Sequence, residues 1–239
     1  MNIILFLPEE VEHPLSRRDA RAAHLLDVLH LLPGGKFDAG LINGPLGRGT
    51  LTAVGADSLT FIFEWKDPPP PLYPIHLVIG LPRPQTARDI LRDATSQGVA
   101  SIHFVRTERS EPSYARSRLW NSEEWRKCVI NGATQAFCTR LPEVTHDRPL
   151  LAAITDLLPN GKKVALDNYE SPISITELTL ARGESVALAI GSERGWSAAE
   201  RVLLRRTGFE FAHLGKRVLR TESACIAAVA VIRSKLGLL

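Results

Sequence analysis

Two stretches near the carboxyl end carry residue types whose spacing suits the holding of a polar ligand by main chain. In residues 187–200, ALAIGSERGWSAAE, an apolar run ends at Gly191, Gly195 follows, and Ser197 with Glu200 three positions on marks a helix start. Ser-x-x-Glu is a capping box, in which each side chain takes the backbone amide of the other residue. Glycines at the end of a strand permit positive φ and let a ligand approach the backbone closely, so a Cβ at Gly191 is expected to intrude on the ligand face. An ordinary strand–turn–helix connection has the same local signature. In residues 214–224, LGKRVLRTESA, the cations Lys216, Arg217 and Arg220 surround Val218 and Leu219, ahead of a helix starting near Thr221 or Glu222. A glycine-led loop before a helix presents free amides, and its arginines can meet phosphates. The plainer reading is a basic surface turn with Val218 and Leu219 in the core.

Other chemistries fail on spacing. Neither Gly161-Lys162-Lys163 nor Gly215-Lys216 has the upstream glycine or the following Ser/Thr of a P-loop, and no G-x-G-x-x-G runs from a strand into a helix. No G-x-S-x-G marks a hydrolase nucleophile. The seven histidines never fall at i, i+4 with a neighbouring acid, so no metal site is expected. Cys128, Cys138 and Cys225 are widely spaced and odd in number, which predicts buried free thiols rather than a disulfide framework.

The elements that must position these loops form two textures. Residues 1–66 read as β-rich, a small barrel or sandwich, with apolar runs at 3–7, 36–41, 49–54 and 58–65. A helix is expected over 16–31, capped by Ser16, and an Asn-Gly hairpin turn within 43–48. Asp67 and the four prolines after it make a stiff linker, residues 67–74. From residue 75 apolar strands (75–80, 102–105, 164–166, 186–190) alternate with helices (85–97, 123–136, 198–206, 222–236). Such alternation argues for a parallel sheet covered on both faces, with ligands at the carboxyl ends of its strands. Functional residues are therefore expected after Gly80, Leu166 and Ile190.

The 239 residues suffice for one large or two modest domains. No apolar run is long enough to span a membrane, and MNIILFLPEE, which reads as a strand, lacks the basic start and cleavage site of a secretory signal. A cytoplasmic protein is expected. Net charge is only +3, but from Glu200 onward eight Lys+Arg face three Asp+Glu. Arginine dominates the basic set, and its planar fork suits phosphate. Solvated helix faces would use the same charges.

Taken together, IGSERGWSAAE and LGKRVLRTESA resemble the signature blocks IGPEGGxSxxE and LGxRxLRxETA of the ribosomal RNA uridine-N3 methyltransferases, the RsmE type of the SPOUT superfamily. Residues 98–110 (GVASIHFVRTERS), 133–144 (ATQAFCTRLPEV) and 24–34 (HLLDVLHLLPG) are similar to further segments of that family. The chain departs from the pattern at Ser192 and Arg194, where the family has Pro and Gly, and at His30, where it has Arg. The resemblance implies an α/β fold: a small PUA-like β-barrel domain for RNA over 1–66, then a SPOUT-type trefoil-knotted parallel-sheet domain over 75–239. It implies methylation of uridine N3 in 16S ribosomal RNA of the small subunit, with S-adenosyl-L-methionine bound in the knot and two copies paired through it. The cofactor residues carried over are Leu166, Leu188, Ile190, Gly191, Glu193, Gly195, Leu214, Gly215, Val218 and Leu219. Arg17, Arg21, Arg83, Arg109 and Arg217 would meet RNA. Arg220 and Glu222 would orient the substrate, with Glu222 fixing an arginine. The altered IGSERG loop motivates an alternative, a diverged paralogue that binds RNA, with or without the cofactor, and lacks this activity or methylates another RNA nucleotide.

Overall fold

The computed structural model describes residues 3–239; Met1 and Asn2, the start of the expected N-terminal strand, lie outside them. The chain divides into two compact units. One comprises the chain up to Pro71 together with Ala133–Leu141, the other Leu72–Gly132 and Pro142–Leu239.

The first unit holds β1 (Ile4–Phe6), β2 (Leu15–Ser16), a short helix α1 (Ala20–Ala23) that runs into a π-helical turn at His24–Val28, β3 (Lys36–Leu41), β4 (Leu46–Val54) and β5 (Ser58–Trp65). They form a five-stranded sheet in the order β1-β3-β4-β5-β2. Only β1 and β3 pair in parallel. A register shift between Leu51 and Ala53 adds local twist to β4. Among the described residues the edge strands β1 and β2 do not pair, so the sheet is an open one rather than a closed barrel.

Alternation along the strands sends Phe6, Phe37, Phe61 and Phe63 to one face, where Phe6 and Phe63 meet edge-on at 5.0 Å. Ala22 and Leu25 close over that cluster. The helix starts at Asp19 rather than Ser16, because the Asp19 carboxylate accepts the Arg21 amide at 2.8 Å while Ser16 pairs with Ser58 in the sheet. Residues of the returning Ala133–Leu141 segment join this unit through hydrogen bonds. Thr139 Oγ1 donates to the Gly44 carbonyl at 2.6 Å, and the Leu141 amide donates to Asn43 Oδ1 at 3.0 Å. Asn43 itself takes φ +59° in the expected Asn-Gly turn.

The second unit is built on β6 (Tyr73–Gly80), α2 (Pro84–Ser96), β7 (Val99–Arg106), α3 (Arg118–Asn121), all but the last turn of α4 (Glu124–Gln135), β8 (Glu143–Pro149), α5 (Leu150–Asp156), β9 (Lys162–Leu166), β10 (Ile173–Ser174), β11 (Val186–Ile190), α6 (Ala198–Arg206), β12 (Glu210–His213) and α7 (Thr221–Lys235). Seven strands pair in the order β10-β12-β9-β11-β6-β7-β8, every pair parallel. Ala187 and Ala189 of β11 face a core completed by Leu150, Ala153 and Ile154 of α5 and by Leu204 of α6. The alternate residues of β11 turn to the opposite face, where α7 packs on β11 and α2 packs on both α7 and β7. The sheet is thus covered on both sides, which explains why its strands lack polar alternation. Among the described residues no helix is long and apolar enough to cross a membrane.

Candidate functional site

The neighbouring strands β12, β9, β11 and β6 end side by side, and the loops that leave them enclose a cavity of about 510 Å³. Its walls are residues 166–169 after β9, residues 190–196 after β11, and Leu214 with residues 217–222 after β12, with Arg83 contributed from the turn after β6. Open parallel sheets bind ligands at this end of their strands.

The loop after β11 folds tightly on itself. The Gly195 amide donates to the Ser192 carbonyl at 2.8 Å, and Gly195 adopts φ +67°, a left-handed conformation that glycine enters without steric cost. A Cβ on Gly191 would stand 2.9 Å from Gly195 Cα and 3.1 Å from the Trp196 amide nitrogen. Gly191 is therefore required by the loop's own backbone, which corrects the expectation that a side chain there would point at a ligand. Gly80 has a matching role: its Cβ would fall 2.5 Å from the Ser192 nitrogen, so β6 and the β11 loop approach closely only because it is glycine.

Three side chains then anchor that loop to its neighbours. Glu193 Oε1 accepts the Arg83 amide at 2.8 Å at the start of α2, where a negative charge also suits the helix dipole. The Trp196 indole, fully buried, donates to the Leu166 carbonyl at 3.1 Å and ties the loop to the end of β9. The expected capping box is formed: Glu200 takes the Ser197 amide at 2.8 Å and Ser197 Oγ takes the Glu200 amide at 3.1 Å. The second oxygen of Glu200 accepts the Glu108 amide at 2.8 Å, so the cap also holds the loop after β7.

The loop after β9 rests on residues that sequence reading passes over. Asp167 Oδ1 accepts the amides of Tyr169 at 2.7 Å and Glu170 at 2.8 Å, and Oδ2 accepts Arg201 Nε at 2.7 Å. Both partners of this ion pair are buried, their side chains 2% and 9% exposed. Thirty-four positions separate Asp167 from Arg201; the one available signal was an acid at the end of a buried strand and an arginine amid the apolar face of α6.

After β12, residues 214–220 form an exposed arch. Val218 is 78% exposed and Leu219 40%, so neither is a core residue. Arg217 and Arg220 are exposed on the same arch, and Arg220 heads α7. Among the described residues Glu222 makes no ion pair with Arg217 or Arg220, which corrects its expected part as an arginine anchor; it lines the cavity as a separate carboxylate.

Of the residues anticipated for cofactor or substrate, the cavity gathers Leu166, Ile190, Gly191, Glu193, Gly195, Leu214, Val218, Leu219, Arg83, Arg217, Arg220 and Glu222. It does not gather Leu188, which lies two residues inside β11 and is fully buried among strands. Gly215 is also outside the lining; with φ +103° it shapes the arch, its amide donating to His213 Nδ1 at 3.0 Å. Arg109 is engaged with the Arg194 carbonyl at 3.0 Å, beside the cavity loop. In the first unit Arg17 is exposed and donates to the Gly55 carbonyl at 3.2 Å. Arg21 is not free for RNA: it bridges Glu10 at 2.6 Å and Asp19 at 2.8 Å and donates to the Leu5 carbonyl at 3.0 Å. Its hydrogen bonds hold both carboxyls below the usual carboxylate range. The cysteines are free, with Cys225 buried and Cys128 and Cys138 partly so.

Residues 68–233 match the family model of the RNA methyltransferase domain. Across the whole chain, a ribosomal RNA small subunit methyltransferase E of Treponema pallidum is 41% identical over 243 aligned residues, covering 97% of this chain and 90% of that protein. The chain belongs to the RsmE family of RNA methyltransferases. A further family member, ribosomal RNA small subunit methyltransferase E 1 of Borreliella burgdorferi, is 28% identical and matches over 99% of both chains. Among solved structures, a putative methyltransferase from Legionella pneumophila in complex with the cofactor SAM superposes with TM-score 0.82, at 22% identity over 98% of this chain and 97% of that one. The Neisseria gonorrhoeae ribosomal RNA small subunit methyltransferase E, bound to S-adenosyl methionine, gives 0.77 at 22% identity over 98% and 97%. At that identity the two structures speak for the shared fold. The RsmE family thus accounts for both units of the chain.

Proposed function

We propose that the chain transfers a methyl group from S-adenosylmethionine to N3 of a uridine in 16S ribosomal RNA, the reading carried by the meeting of three loops in one cavity ringed by arginines. The cavity fits the cofactor. Its volume of about 510 Å³ lies in the range of small-molecule sites, roughly 300–1,000 Å³. A Cβ added at Gly195 or Gly215 would meet nothing within 4 Å, so both turns border open space. Main chain of residues 190–195 and 214–219 would hold the adenosine and methionine parts, with Leu166 and Leu219 as apolar walls. S-adenosylmethionine, when bound, supplies an electrophilic methyl on its sulfonium.

The protein's own part is alignment. Positioning the nucleophile in line with the methyl accounts for much of such an acceleration. Arg83, Arg194, Arg217 and Arg220 stand at the cavity and give the phosphates of an incoming strand charge-assisted partners. N3 lies on the pairing edge of the base, so the uridine must be unpaired or turned out of its helix. In this reading the first unit is the PUA-like domain that grips RNA, the loops after β11 and β12 form the trefoil knot of the SPOUT fold, and two copies pair through the second unit. A protein that acts on ribosomal RNA would, in this reading, work in the cytoplasm.

Calorimetry with S-adenosylmethionine, followed by tritiated methyl transfer to small subunits from a strain lacking the enzyme, tests the reading. Saturable binding and label mapped by mass spectrometry to a uridine N3 are expected. Ser192 and Arg194, at positions where the family has Pro and Gly, favour one other reading, an RNA-binding paralogue; cofactor or RNA binding without incorporation would select it.

A further inference from the structure

Tyr169 is 80% exposed, yet its backbone is hydrogen-bonded and its ring faces a cation. Its amide is held by Asp167 Oδ1 at 2.7 Å, and the Arg201 guanidinium lies 5.4 Å from its ring centroid. Arg201 is in turn clamped by Asp167 and lies 3.7 Å from Glu170, whose carboxylate Arg205 also binds at 2.6 Å. Burying a charge pair carries a desolvation penalty and adds little net stability over apolar packing. What this pair achieves is an aromatic ring that lines the cavity, backed by a cation and otherwise open to solvent. Tyr169 lines the cavity, but 80% of its surface faces solvent. A base presented from outside, between the ring and the arginines of the opposite arch, would cover its open face.

We infer that Tyr169 is the stacking platform for the target nucleobase, receiving it when it is turned out of the RNA toward the cavity. This rests on the proposed RNA methylation and adds to it a base-positioning residue on the substrate side. Stacking on an aromatic face is sequence-tolerant, so the ring would hold the base while polar groups select it.

The test uses the full chain and three variants, Tyr169→Ala, Tyr169→Phe and Tyr169→Trp. Cofactor affinity is measured by calorimetry, and affinity for undermethylated small subunits by filter binding, which needs no turnover. Tyr169→Ala should weaken subunit binding and RNA-side kcat/KM by about 5- to 100-fold, while Tyr169→Phe and Tyr169→Trp stay within about two-fold. Cofactor affinity and melting temperature should not move. A loss of cofactor affinity with RNA affinity intact would place the ring on the cofactor and overturn the inference. Unchanged RNA affinity in Tyr169→Ala, or equal defects in Tyr169→Ala and Tyr169→Phe, would also overturn it. Failure of the unaltered chain to methylate would refute the proposed activity alone, because the binding comparison still decides the role of Tyr169.

Discussion

The indole of Trp196 donates to the carbonyl of Leu166 at 3.1 Å, joining the loop after β11 to the last residue of β9 in the buried interior. This bond sets the distance between two walls of the cavity. Trp196→Phe keeps most of the packing but leaves a buried carbonyl unpaired, at a cost of about 1–3 kcal/mol. A fall of several degrees in melting temperature is expected, with weaker cofactor binding measured by calorimetry. Unchanged cofactor affinity would mean that the walls hold their spacing without it.

Arg201 and Asp167 form a buried ion pair, and removing one partner strands the other. Arg201→Met should cost about 3–5 kcal/mol, seen as a clear shift of the urea midpoint. Pairing it with Asp167→Leu should recover part of that loss, since two apolar residues leave no unpaired charge. If the double variant is no more stable than the single one, the pair is not the unit that matters.

Gly191 and Gly195 should respond differently to a methyl group. At Gly191 the new Cβ meets Gly195 Cα at 2.9 Å, so the loop must open; Gly191→Ala is expected to lower both stability and cofactor affinity, the latter by at least about ten-fold. At Gly195 the obstacle is only φ +67°, and Gly195→Ala should cost about 1 kcal/mol with no clash. Equal effects at the two positions would contradict this division.

Arg220 is exposed and, among the described residues, its side chain takes no hydrogen bond or ion pair. Arg220→Ala should leave the melting temperature unmoved and slow methyl transfer to subunits by about ten-fold or more, as expected for a lost charge-assisted contact. A parallel drop in melting temperature would make it a structural residue.

His103 is fully buried on β7, with Nδ1 3.0 Å from Thr145 Oγ1 and Nε2 unpartnered. Burial, reinforced by His76 and Arg148, pushes its pKa down to about 4 from an ordinary 6.5. Between those values the unfolded chain binds a proton that the folded one does not. Stability should therefore decline as pH drops from 6.5 toward 4, by at most about 1.4 kcal/mol per pH unit from this group. From about 4.5 downward Glu10, and then from about 3.8 Asp19, both held low by Arg21, lose their stabilisation in turn. Urea titrations across this range should show a shallower slope in His103→Gln than in the unaltered chain.

The parts of the protein written locally are those the sequence determines by itself. Val186–Ile190 and Ala198–Arg206 have the bounds that apolar continuity and the Ser197–Glu200 box dictate, because strand burial and capping are settled within a few residues. The Asn43 turn and the free cysteines follow from equally short patterns. Elements whose reason lies elsewhere in the chain are silent in it. β8 carries EVTHDRP, too polar to read as a sheet strand, and forms because β7 offers it a parallel edge. Residues of Ala133–Leu141 belong to the first unit only because Asn43 and Gly44 bond them there. Arg21 reads as a free cation until Glu10 and Asp19 are folded against it, and Leu188 reads as a ligand contact until β6 and β9 close on both sides. Glycine loops, caps and charges near a cavity are local chemistry; which amides face it, and which arginines remain free, are consequences of long-range pairing that no window of sequence contains.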